Sequence, residues 1–163
     1  MTQQKLNANW DLQGIEDPLL RDLHAYWASL PRNGAVPLRS SFSPAAIPGL
    51  LPLVVMVDVL DEPRDFRFRL AGTSIARIAG QELTGKRIAE VFPSGFCAEL
   101  HRTWGTVIAE RRPVRGAGRL WVPGREHIGW EGLAMPLSRT GEDADVILGG
   151  VVFLDGAGKR LVR

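Results

Sequence analysis

The chain has 163 residues, 45% of them apolar and 23% charged, as expected of one globular domain able to bury roughly 70% of its unfolded surface. A formal charge of +2 is too small to imply nucleic acid without a concentrated patch. A single cysteine, Cys97, excludes an internal disulfide and a set of thiolate metal ligands.

The N-terminus lacks the apolar core of a signal peptide. The most hydrophobic stretch, residues 47–60, is interrupted by Pro48, Pro52 and Asp58 and is too short to span a bilayer. The expectation is a cytoplasmic protein with no membrane contact. Residues 1–16 are polar with scattered apolar positions and read as a flexible N-terminus. Asp17-Pro18 then opens a helix, with Asp as N-cap and Pro at the first helical position. Its apolar residues Leu19, Leu20, Leu23, Tyr26, Trp27 and Leu30 share one face, and Pro31 ends it. Asn33-Gly34 turns the chain, and Ser43-Pro44 starts a short helical turn ending near Pro48-Gly49.

From residue 53 the period changes. Residues 53–60 read as a Val-rich strand, apolar on both faces, so something must cover the second face. After a turn over 61–65, residues 66–70 alternate, which predicts Phe66, Phe68 and Leu70 facing the core and Arg67 and Arg69 opposite. Thr73 is predicted to cap a short helix carrying Ile75, Ile78 and Ala79 and closed by Gly80. A second short helix with Ile88, Val91 and Phe92 is predicted after Thr84-Gly85. Residues 94–111 form the longest helix, striped by Phe96, Cys97, Leu100, Trp104, Val107 and Ile108 and ended before Pro113.

Three more strands follow at 114–122, 127–137 and 146–154, joined by loops too short for parallel crossovers. The fold class is α+β: a five-stranded antiparallel sheet with helices on one face, preceded by an N-terminal amphipathic helix. The domain divides into a flexible stretch 1–16, a helix and connecting segment 17–49, a core 50–156 and a tail 157–163. Nothing after the last strand has the length of an output domain, so the module is expected to act through a partner, a ligand or itself.

The order of elements resembles the PAS superfamily. The local sequence is also similar to short bacterial stand-alone PAS-like proteins. The residues carrying this are Asp22-Leu23-His24-Ala25-Tyr26-Trp27, Phe42-Ser43-Pro44-Ala45-Ala46-Ile47-Pro48, Phe68-Arg69-Leu70-Ala71-Gly72-Thr73, Gly80-Gln81-Glu82-Leu83-Thr84-Gly85-Lys86 and Trp130-Glu131-Gly132-Leu133-Ala134-Met135-Pro136-Leu137. The resemblance implies a PAS-ordered sheet whose helices cover a central cavity. It also implies a sensing or signalling role, often in dimers paired through a helix before the core. It implies no particular ligand. The flavin-binding branch needs an Asn-Cys-Arg-Phe run, whereas Cys97 sits in Phe96-Cys97-Ala98-Glu99, so no cofactor is carried over.

On strand 114–122, Val114, Gly116, Gly118, Leu120 and Val122 share one parity, and two glycines there leave room for a ligand or a large side chain. The expected cavity lining is Ile75, Ile78, Phe92, Leu100, Trp104, Ile108, Leu120 and Met135. The competing expectation is that Trp104 or Phe92 fills the space as ordinary core. His101, on the flank of the long helix, is a weak candidate for a haem ligand against a plain helix-edge histidine, and His24 and His127 have no ligand-spaced neighbours. Cys97 reads as a small buried hydrophobe. Asp58 is expected to pair across strands with Arg67 or Arg69.

A rival reading is a small cone-fold enzyme with Glu131, Asp58 or His101 as base, and a third is an interaction module with a filled cavity. Arg111, Arg112, Arg115 and Arg119 read as charges guarding a sheet edge, or as a dock for an acidic partner or a nucleotide. Leu19, Leu23, Tyr26, Trp27 and Leu30 are expected to cover the sheet's second face, to meet a partner or second copy, or both. The leading reading is a stand-alone sensory or adaptor protein, a homodimer, acting through a small ligand or a signalling partner without catalysis, nucleic acid or membrane.

Overall fold

The computed structural model describes residues 14–32, 34–61, 63–120 and 124–161. The expectations for residues 1–13, for Asn33 and Glu62 in their turns, for Trp121 and Val122, and for residues 162–163 of the tail lie outside these. Among the described residues no helix is long and apolar enough to cross a membrane.

The first helix, α1 (Pro18–Ser29), begins where the Asp17 side chain accepts the Leu19 N–H at 2.8 Å. Three short 3-10 turns then lead to strand β1 (Val54–Leu60), which pairs with β2 (Asp65–Ala71). Helix α2 (Thr73–Ala79), a 3-10 turn at Ile88–Glu90 and helix α3 (Ser94–Glu110) cross one face of the sheet. Strands β3 (Val114–Arg119), β4 (Gly129–Leu137) and β5 (Val146–Leu154) complete an antiparallel sheet in the order β2-β1-β5-β4-β3. The late strands therefore fold back onto the early hairpin through β5 against β1.

The sheet has a core on each face. Val57, Phe66, Phe68, Val114, Trp130 and Ile147 pack toward α2 and α3. Val54, Met56, Leu133, Met135, Val146 and Leu148 lie on the other face with Leu20, Leu23 and Trp27 of α1. The double-sided β1 thus has the second cover that its sequence demands. Close approach of α1 depends on Gly150 of β5, where a Cβ would run into the side chains of Leu20, Leu23 and Leu53. The Trp27 indole N–H fixes the helix by donating to the Pro136 carbonyl at 2.8 Å.

Several local expectations are corrected. Gly72, not Thr73, is the N-cap residue of α2, and a Cβ there would strike the Leu51 and Pro52 carbonyls. Ile88, Val91 and Phe92 sit on and after a single 3-10 turn rather than a second helix. Leu70 is exposed, because the β1–β2 register shifts between Met56 and Val57 and the extra residue breaks the alternation after Phe68. Within the stretch expected to be loose, Ile15 is buried in the core under α1. At the other end, the Leu161 N–H donates to the Phe153 carbonyl at 2.7 Å, which folds the tail along β5.

Candidate functional site

Between the sheet and the α2–α3 layer lies a cavity of about 150 Å³. Its roof is Ile75 and Ile78 of α2, Phe92, and Phe96, Leu100, Thr103 and Trp104 of α3. Its sheet floor mixes apolar side chains with glycines: Gly116, Gly132 and Gly149 come from three strands, with Gly116 directly opposite Gly132. At Gly132 a Cβ would press on the Trp130 ring at 3.3 Å, and at Gly149 on the Val55 side chain at 2.8 Å. The walls are aromatic. Phe92 meets Phe68 and Phe96 edge-on at 6.1 and 5.1 Å, and Phe96 meets Trp130 at 6.3 Å. Among the described lining residues none carries a formal charge. The cavity can therefore hold a neutral apolar or aromatic molecule and offers nothing to balance an ion.

Six of the eight expected lining residues border this space: Ile75, Ile78, Phe92, Leu100, Trp104 and Leu120. Ile108, one turn beyond Trp104, packs on the same core but past the end of the cavity. Met135 is on the opposite face, beneath α1. From Leu133 to Leu137 both faces of β4 are apolar and buried, so alternation alone could not assign Met135 a side. Phe92 and Trp104 bound the cavity without filling it.

The opposite face carries a charge clamp. Glu131, 3% exposed, accepts the Asp17 N–H on Oε1 at 2.9 Å. Its Oε2 accepts the Glu16 N–H at 2.8 Å and Arg115 Nε at 2.7 Å. Asp17 in turn receives Arg160 Nε on Oδ2 at 3.0 Å. Glu131 thus ties β3, β4 and the start of α1 together, and both oxygens are engaged. Arg115 is in the clamp, while Arg111 and Arg112 are exposed at the end of α3 beside the edge strand β3.

His101 stands on the outer flank of α3, its Nε2 3.5 Å from Asp65 Oδ1 and its ring 5.3 Å from Phe66, outside the cavity lining. Cys97 is buried with Sγ 3.4 Å from the Ile88 carbonyl, and burial, reinforced by the Asp65 charge, pushes its thiol pKa up. That environment disfavours the reactive thiolate. Among the described residues no three His, Cys, Asp or Glu side chains gather as a metal-binding group.

A family model for the PAS domain matches residues 15–152 of this chain. The chain belongs to the PAS domain family. Among solved structures, an RNA-binding light-oxygen-voltage receptor is similar at 18% identity and a TM-score of 0.44, over 77% of this chain and 37% of that one. No curated protein matches. The PAS assignment makes this a sensory or interaction module in general terms.

In this PAS domain, Leu23, Trp27 and Leu30, expected to cover the sheet's second face, to meet a partner, or both, are buried inside the domain. Only Leu19 and Tyr26 of that set stay half-buried on the helix flank. Sequence reasoning missed Gly132 and Gly149 on the floor, because glycine in a strand signals many things: a bulge, a close approach or a space.

Proposed function

We propose that this PAS domain senses a small neutral molecule, apolar or aromatic, held between the sheet and α2–α3, and reports its state to a signalling protein in the cytoplasm. The observation that carries this reading is the uncharged cavity of about 150 Å³ over the glycine-bearing face of the sheet. A dry cavity of that volume lined by Leu, Ile and Phe holds a ligand of benzene size. It lies below the ~300–1,000 Å³ typical of drug-sized ligands, which favours one or two rings over a large cofactor. Transmission would run through contacts of the core, residues 50–156, with a partner or second copy. On α1, Leu19 and Tyr26 are half-buried and so partly open to such contacts.

Native mass spectrometry of the protein purified from its own cells tests this directly. The expected result is an added mass of one small molecule that is lost on denaturation. An apo mass that stays unchanged on incubation with benzene, indole and naphthalene would count against a ligand sensor.

A further inference from the structure

On the face of the sheet away from the cavity, Asp58 shares the parity of Val54 and Met56 and lies beneath three guanidinium groups, its side chain 3% exposed. Arg69 Nε donates to Oδ1 at 3.0 Å, and a terminal nitrogen of Arg139 donates to the same oxygen at 2.7 Å. Arg67 stands 3.8 Å from Oδ2. One buried carboxylate is neutralised by one cation and is well bonded by two. The third guanidinium adds repulsion that Asp58 does not repay.

The three arginine side chains are 41–44% exposed, and each has five N–H donors, most of them unused by Asp58. Next to Arg139, the Ser138 carbonyl accepts the Arg39 backbone N–H at 2.7 Å. The Arg39 Nε is buried with no hydrogen-bond partner among the described residues. The other acid here is Asp145, whose Oδ1 accepts the Arg139 backbone N–H at 2.9 Å. The three guanidinium groups on the one carboxylate of Asp58 leave a formal charge of +2 in the ion-paired cluster, while Asp145 is engaged by a backbone N–H.

We propose that this arginine patch around Asp58 is a binding site for a phosphomonoester dianion. A phosphate ester carries −1.5 to −2 charges near pH 7 and so matches the excess. Its oxygens take the paired N–H groups of guanidinium forks, a geometry that lysine would not provide. Bridging Arg67 to Arg69 and Arg139, it would remove their mutual repulsion while leaving Asp58 paired. A single carboxylate would leave half the excess in place. The site is on the opposite face from the cavity and stands whether or not that cavity takes a ligand.

The test is an NMR titration of the full chain with inorganic phosphate, at constant ionic strength set by chloride. Saturable shifts at the backbone amides of Arg67, Arg69 and Arg139 are expected. Arg67→Gln keeps both close partners of Asp58 and therefore the fold; it should weaken phosphate binding about tenfold or more. Parallel titrations with AMP and with a phosphoserine peptide separate the sources, since the ester that binds tighter than free phosphate supports the site and identifies its ligand. Absence of saturable shifts with all three probes, or unchanged affinity in Arg67→Gln, would overturn the proposal.

Discussion

Glu131 shows how much one buried side chain can organise. Removing its carboxylate strands the Glu16 and Asp17 N–H groups and leaves Arg115, 13% exposed, without its counter-charge. Breaking a buried pair from one side costs about 3–5 kcal/mol, so Glu131→Ala should lower the urea midpoint strongly. Glu131→Gln, still able to accept, should cost only about 1–3 kcal/mol. Equal stability of Glu131→Ala and the parent would refute the clamp. Asp58 should contribute to the response to acid. Burial raises its carboxyl pKa, but hydrogen bonds and charge from Arg69 and Arg139 outweigh this and hold it below the usual value. A depressed carboxylate pKa contributes stability above the unfolded value, ~3.9, and that contribution fades as pH falls through the folded value. Unfolding free energy should therefore drop as pH goes from about 4 downward, and Asp58→Asn should flatten that part of the curve. An unaltered acid slope in the variant would show that other carboxylates set it.

Helix α1 is joined to the sheet by small-residue contact and by polar ties at both ends. Gly150→Ala pushes a methyl group into Leu20, Leu23 and Leu53, which should cost about 1–3 kcal/mol and loosen α1, seen as faster amide exchange along the helix. Exchange rates unchanged across α1 would contradict that packing. At this scale the sequence speaks clearly where one period dominates. The span of β5 and the bounds of α1 follow from runs of valine and leucine and from Asp17-Pro18 and Pro31. It is mute where two neighbours must agree. The bulge that exposes Leu70 is a property of the β1–β2 register, and the side taken by Met135 depends on which face of a doubly buried strand meets α1. Arg139 likewise reaches Asp58 across 81 positions of sequence, a meeting that no local pattern announces.

Across the whole molecule, the sheet works as a partition. One face is closed by α1 and its charge clamp, and the other keeps an unfilled space under α2 and α3. Of the two β3 glycines that the sequence pointed to, Gly116 lines that space and Gly118 does not, and its extent depends also on Gly132 and Gly149, brought beneath the helices by strand order. The measurement that bears most directly on this is the melting midpoint of the full chain with and without indole, repeated in Leu100→Phe, which places a larger ring in the cavity. A ligand of the folded state at about 100 times its Kd adds roughly 2.7 kcal/mol, so the midpoint should rise by several degrees in the parent and hardly at all in the variant. A midpoint unmoved by indole, benzene and naphthalene alike, or raised equally in Leu100→Phe, would contradict a ligand-accepting cavity.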